Sequence, residues 1–405
     1  MKLAEGHLTY CTNIHAGESW TDHFQSLKEK FQLIKSQVSV AQPMGIGLRL
    51  SHEASKDLQD KVKLEEFKDW LRESNAYVFT LNGFPYGDFH HAVVKDHVHV
   101  PDWTTDERLE YTITLFEILS KLLPEGMDGG VSTSPLSYRH WYTSEADSAK
   151  AMQVATGNII SVLEQLFLFK KDRGVVMHLD IEPEPDGLLE TGREFIDWYQ
   201  NMLLPLARKE LALKHNLHEE EISKVLREHI CLCYDICHFA IGYESHEEVL
   251  GELAKNKIRV GKIQISAALK SDLPADPDSK KLIAGAFAAF NEPTYLHQVV
   301  ARRNDNGLIR YRDLPDALED IQNPDVEEWR AHFHVPVFLK DLGLLKSTQN
   351  DIIEVLKIQV TKPFTNHLEV ETYTWEVLPD KLKVPIDQSI SRELNWVKGI
   401  LRRNE

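Results

Sequence analysis

Acids and histidines gather at the ends of short apolar runs. Glu182 closes "GVVMHLDIEP" (174–183), Asp235 and His238 close "HICLCYDICHFA" (229–240), and Glu369 and Glu371 lie in "HLEVETYTW" (367–375). Carboxylate oxygens and imidazole nitrogens suit hard or borderline divalent cations, so acids from three strands could converge on one ion. A sugar's adjacent hydroxyl and carbonyl could complete the shell. Taken singly, each acid could instead pair with a basic residue or cap the next helix. Acids entering one interior from three strand ends would repel one another without a cation, which favours the ion. Alternation puts Glu369 and Glu371 on one face, and Glu371, nearer the carboxyl end, is the better ligand.

Three further groups could bear chemistry. Cys231, Cys233 and Cys237 fall on one face if their segment is a regular strand, but side chains two apart in a strand are too distant to chelate like a zinc knuckle. Buried free thiols are their commoner fate. His332 and His334 form an H-x-H pair in "AHFHVPVF" (331–338), a pattern by which metal-dependent hydrolases hold zinc, and Pro336 favours a short edge segment there. Near the amino end, Asn13 and His15 exit the first run, Arg49 ends the second, and Asn82 ends the third, with Phe84, Tyr86 and Trp141 as aromatic neighbours. Such a mixture suits a sugar, apolar on its faces and hydroxylated at its edges, which makes His15, Arg49 and Asn82 candidate substrate contacts. Asn82-Gly83 would equally serve as a turn. No G-x-S-x-G elbow occurs, so acyl transfer through a serine has no support.

The elements that must position these residues are eight strand-like runs beginning near residues 7, 45, 76, 129, 174, 229, 258 and 367. Segments with apolar residues every three or four positions separate them, as in 106–124, 151–171 and 245–257. Alternation of strand and helix implies parallel pairing, and eight units suggest a (β/α)8 TIM barrel with reactive groups at the carboxyl ends of its strands. A doubly wound sheet is the rival, but neither G-x-G-x-x-G nor G-x-x-x-x-G-K-[ST] is present. Residues 1–405 are read as one domain, with insertions over about 188–228 after the fifth strand and 270–330 after the seventh. Both are expected to be helical, the second covering the barrel mouth. A net charge of −17 argues against a nucleic-acid partner. No run is apolar enough to predict membrane insertion, no secretory leader is apparent, and the four cysteines do not suggest a disulfide framework, so cytoplasmic residence is expected.

With Glu182-Pro183, Asp235-x-x-His238 and Glu371 in order on strands five, six and eight, the chain resembles the xylose-isomerase-like TIM-barrel superfamily of sugar phosphate isomerases and epimerases. More narrowly, "HLTYCTNIHAGESW", "GIGLRLS", "LNGFPYG", "DICHFAIGYE" and "HFHVPVF" are similar to the EboE family of metabolite traffic proteins. The resemblance implies that Glu182, Asp235 and Glu371 bind one divalent ion (Mn, Mg, Fe, Co or Zn). It further implies that Glu182 and Glu371 are the acid/base pair, and that His238 touches a sugar-like substrate or orients the site; His332 is read as a further candidate substrate contact. The superfamily commonly draws a histidine from strand seven, where this chain has Lys262, Gln264 and Ser266. Gln264 or His334 would then be the fourth ligand. The implied reaction is proton transfer beside a carbonyl, within an ebo-type pathway that could supply protein partners. A metal-dependent hydrolase and a non-catalytic metabolite-binding barrel are the alternatives.

Overall fold

The computed structural model describes residues 1–87, 89 and 93–402. Eight parallel strands form its centre: β1 (Gly6–Tyr10), β2 (Met44–Arg49), β3 (Ala76–Asn82), β4 (Gly129–Thr133), β5 (Met177–Ile181), β6 (Ile230–Asp235), β7 (Val260–Ile265) and β8 (His367–Val370). From β2 to β8 each strand pairs with the next, and β8 pairs with β1, so the order around the sheet is the order of the chain. All eight expected strands are present.

The seam between β1 and β2 closes mainly through side chains. Cys11 and Gly47 make a lone backbone bridge, and a register shift in β2 lies between Ile46 and Gly47. The Thr9 hydroxyl donates to the Gly45 carbonyl at 2.8 Å and accepts from the Gly47 amide at 3.0 Å. Further along, the Thr12 hydroxyl accepts from the Arg49 amide at 2.8 Å. Two threonines thus satisfy β2 backbone groups that face β1 with no ladder to join. Gly47 is required for another reason: a Cβ there would lie 1.8 Å from Glu369 Oε2, so any side chain would evict that carboxylate from the interior. The result is a (β/α)8 barrel.

Amphipathic helices cover it, started by side-chain caps as their sequences dictate. Ser144 accepts from the Asp147 amide to open Glu145–Arg173, and Thr191 forms a capping box with Glu194 at the start of Gly192–Trp198. Glu145–Arg173 is the one helix among the described residues long and apolar enough, by length and composition, to cross a membrane. It is a core helix instead: Ile159, Ile160, Leu163 and Leu166 lie buried against the barrel.

Two local expectations need correction. The segment through Ala240 is not one strand: β6 ends at Asp235, whose side chain caps the helix Ile236–Ile241 by accepting from the His238 amide at 3.3 Å. Cys237 therefore leaves the face shared by Cys231 and Cys233, and all four cysteines are free and buried. The insertion after β5 is helical, as expected, in Gly192–Trp198, Leu204–His215 and Glu219–His229. The one after β7 carries helices Pro277–Ala288 and Leu314–Glu319, but on a six-stranded antiparallel sheet whose central strands are Leu269–Asp272, Val299–Arg303 and Val326–Ala331. These strands are short, and their one clear sequence mark is the Asn306-Gly307 turn between Val299–Arg303 and Leu308–Tyr311.

The last helix, Ile386–Arg402, ties the mouth loops to the barrel wall through Glu393, which accepts from Thr372 Oγ1 at 2.7 Å and from the Val337 amide at 3.1 Å. Burial pushes its carboxyl up to about 7. A carboxyl raised by folding contributes stability that is fully present below its unfolded pKa, near 4.5, and is lost as pH rises through about 7. Glu393→Gln keeps the acceptor and removes the charge. It should therefore melt higher than the parent at pH 8, by up to about 3 kcal/mol, and nearly with it at pH 4.5. Thermal unfolding at the two pH values checks this; equal shifts at both would contradict it.

Candidate metal and substrate site at the barrel mouth

Three histidines meet above the carboxyl ends of the strands, and their hydrogen bonds fix which nitrogen each presents. His238 Nδ1 lies 2.9 Å from the Pro183 carbonyl, His332 Nδ1 2.8 Å from Gln298 Oε1, and His334 Nδ1 3.1 Å from the Glu371 carbonyl. Gln298 is oriented by its own donation to the Pro185 carbonyl at 3.1 Å, so its oxygen faces His332. A carbonyl oxygen only accepts, hence each Nδ1 carries the proton and each neutral ring turns a bare Nε2 inward. His238 Nε2 and His332 Nε2 then face each other at 3.2 Å, and with both rings neutral two lone pairs would meet there. A cation converts that repulsion into attraction. His334 Nε2 is buried without a partner. Burial, then the neighbouring His238 and His334, hold His332 well below the ordinary imidazole range, and burial pushes His334 down to about 4. Both are neutral at pH 7.

Carboxylates stand around this group. Asp235 Oδ1 is used by Ser266 Oγ at 2.6 Å and by the His238 amide, while Oδ2 is buried and unpartnered. The ligating atoms of Asp235, His238 and His334 lie within 4.8 Å of one another, as do those of Glu184, His238 and His332. Glu182 Oε1 is 3.9 Å from His238 Nδ1, and its Oε2 has no partner. Glu371 Oε1 accepts from Asn13 Nδ2 at 2.8 Å and Asn82 Nδ2 at 3.0 Å. Burial, followed by the charges of Glu371 and Asp235, pushes Glu182 well above the carboxylate range; burial, Asp235 and Glu369 do the same to Glu371. Buried donor atoms without partners, on imidazoles whose other nitrogen is already held, fit a divalent cation. Several imidazoles beside carboxylate suit a borderline ion such as Zn, Co, Fe or Mn better than Mg.

Both expected fourth ligands are buried here. Gln264, in register with Asp235 and Glu369, has both amide atoms unpartnered, and His334 is at the mouth. Glu369 is engaged a layer deeper, at 2.9 Å from Lys262 Nζ, which leaves Glu371 to the pocket. Asn82 lines the pocket, but His15 and Arg49 do not. The short turn Thr12–Ile14 sends Asn13 inward, and His15 meets Tyr10 Oη at 3.1 Å instead. Arg49 is spent on the Gly87 carbonyl at 2.6 Å and Glu18 at 2.7 Å, behind the ring of Phe89. Of the aromatics, Phe84 lines the pocket, whereas Tyr86 stacks on His52 and Trp141 bonds Asp96. The pocket is walled by Phe84, Phe89, Tyr295 and Tyr373. Sequence reasoning missed Gln298 and Tyr295, which lie in segments with no local signature, and Tyr373, which follows β8 in a short turn where the run 367–375 read as strand; Asn13 carried a signal in its position at the end of β1.

No family model matches the chain, and no curated protein sequence matches it. Among solved structures, the chain is similar to the IolI protein with a bound zinc atom, at 13% identity over 98% of each chain and a TM-score of 0.47. It is also similar to a xylose isomerase-like TIM-barrel protein from Mycobacterium smegmatis in complex with magnesium, at 8% identity over 93% and 88% of the two chains and a TM-score of 0.46. A third is the probable 3-DHS dehydratase AsbF from Bacillus anthracis, at 11% identity over 97% and 98% and a TM-score of 0.44. At such identities and scores these likenesses bear on neither substrate nor metal, and the barrel rests on its own strand order.

The tautomers make a measurable claim. In metal-free protein His334 should stay neutral and protonated at Nδ1 down to about pH 4, as read from imidazole nitrogen chemical shifts. Gln298→Leu should mix the two tautomers of His332 and leave His334 unchanged. An imidazolium at His334 at pH 6 would refute the assignment.

Proposed function

We propose that this barrel is a metal-dependent isomerase or epimerase acting on a small polyhydroxylated metabolite. The observation that carries the reading is the pair of bare nitrogens of His238 and His332, 3.2 Å apart, between the buried acids Glu182 and Glu371. Asp235, His238 and His334 would hold the ion, with His332 or Gln264 as a further donor. A bound divalent cation supplies Lewis acidity toward the carbonyl and adjacent hydroxyl oxygens of the substrate. Glu182 takes the proton from the carbon beside the carbonyl. Glu371, oriented by Asn13 and Asn82, returns a proton: to the opposite face of that carbon for epimerisation, or to the neighbouring carbon for isomerisation. Lys262 offsets part of the negative charge, and the aromatic walls exclude water while packing on the apolar face of a sugar. In this reading residues 1–405 work as one cytoplasmic domain, and the similarity to the EboE family supports a place in metabolite traffic beside protein partners.

A metal-dependent hydrolase is the second reading, favoured by the imidazole-rich donor set, which also suits activation of a water. The deciding experiment combines metal analysis by mass spectrometry with proton exchange in D2O across a panel of sugars and cyclitols. A mouth-bound borderline ion should be lost in the Asp235→Asn/His334→Gln double variant. Glu182→Gln should keep the ion and lose roughly 10²–10⁴-fold in exchange. Cleaved product would move the assignment to the hydrolase, and a double variant that retains every ion would refute the metal centre.

A further inference from the structure

The opposite, amino-terminal pole of the barrel carries a second group of ligating atoms with no role at the mouth. Asp128 immediately precedes β4, His178 is the second residue of β5, and His367 the first of β8. His178 Nε2 is 3.6 Å from Asp128 Oδ2, and His367 Nε2 is 3.5 Å from Asp128 Oδ1. The three ligating atoms lie within 4.8 Å of one another. Both imidazoles are buried, at 0% and 1% exposure, and neither Nε2 has a hydrogen-bond partner. Both separations are long for hydrogen bonds, and the 3.5 Å from His367 Nε2 to Asp128 Oδ1 is close to the edge of a coordination tetrahedron. Ligands about 2.0–2.1 Å from zinc stand about 3.3 Å from one another.

What surrounds the triad has the form of support for a ligand set. His178 Nδ1 is bonded at 2.6 Å to Asp180 Oδ1, the carboxylate–histidine arrangement that fixes a metal-bound imidazole. Room for that pair depends on Gly261 in β7: a Cβ there would lie 1.8 Å from Asp180 Oδ1 and 2.8 Å from His178 Nδ1. Arg259 donates to Asp128 Oδ2, which leaves Oδ1 for a ligand and balances part of the charge of Asp128 and Asp180. Asp128 remains 23% exposed, so the group is reached from solvent.

We propose that Asp128, His178 and His367 form a second site for a borderline divalent cation of the zinc kind, with Asp180 orienting His178 and water completing the shell. The ion would fasten the amino-terminal ends of β4, β5 and β8, of which β8 has no direct pairing with the other two. This site is independent of the reading given for the mouth.

Anomalous scattering at the zinc edge from crystals of the unmodified full chain loaded with zinc tests it, alongside zinc counts on desalted protein. The expected result is a peak between Asp128, His178 and His367, with one equivalent of zinc lost in Asp128→Asn and in His367→Gln. Failure of the mouth reading alone would remove the mouth peak and leave this one. A pole without a peak would overturn the proposal even where the variants do not fold, and so would folded variants that hold as much zinc as the parent.

Discussion

Lys262 and Glu369 meet at 2.9 Å with no exposed side-chain surface on either, and the barrel interior is organised around the charge they leave unbalanced. One lysine faces a column of acids: Asp180 below, Glu369 beside it, then Glu182, Asp235 and Glu371 toward the mouth. All five are buried. A buried pair of opposite charges is a weak source of stability, because desolvation offsets most of the attraction. Its effect here is electrostatic placement. Lys262 lowers both Glu182 and Glu371, but burial and like charges outweigh it, so the mouth acids stay well above their ordinary range. A column of this sign, with Lys262 at its centre and burial outweighing it at the mouth, is an interior built to meet a proton or a cation.

The histidines answer the same constraint from above. Each donates through Nδ1 to an oxygen that can only accept, so the inward nitrogen is left basic and fixed in direction before any ligand arrives. Two of the three anchors are backbone carbonyls, of Pro183 and Glu371, belonging to the residues after β5 and after β8 that also place the acids. Shifting one loop would therefore disturb an acid and an imidazole together. The geometry is coupled through the main chain, which holds its positions more tightly than independent rotamers could.

Much of this was legible in the sequence, and the remainder was missed for physical reasons. Strand positions follow from apolar runs bounded by turns, and all eight were visible. Asp235, Glu182 and Glu371 were visible too, because a carboxylate at the end of an apolar strand has few structural uses. Alternation put Glu369 and Glu371 on one face, and nearness to the carboxyl end singled out Glu371; Lys262 engages the deeper acid, while Glu371 lines the pocket. What failed was local: a β-strand pattern cannot show where an Asp turns from last strand residue to helix cap, so Cys237 and His238 were placed on a strand that had already ended. His15 and Arg49 were chosen by position along the chain, but the turn Thr12–Ile14 rotates Asn13 inward in place of His15. Gln298 could not be seen at all. Its value lies in one hydrogen bond to His332, 34 residues away, across two strands of a sheet whose pairing no local pattern encodes.

That antiparallel sheet explains why the late H-x-H pair reaches the site. Val326–Ala331 pairs with Leu269–Asp272, the strand that continues from β7, and Ala331 sits opposite Leu269. The chain that leaves the barrel after β7 thus returns beside its own point of departure, and His332 and His334 follow directly. The His332 amide donates to the Gln298 carbonyl at 2.8 Å and the Val335 amide to the Ala267 carbonyl at 3.0 Å, so the segment is fastened to the antiparallel sheet on one side and to the barrel rim on the other. His332 and His334 are thus delivered to the mouth by an excursion of some sixty residues after β7. The strand keeps Lys262 and Gln264 inside, and the interior gains its one lysine without losing an imidazole at the mouth. The long insertion therefore supplies two of the three imidazoles of the mouth while β7 supplies the buried Lys262 and Gln264.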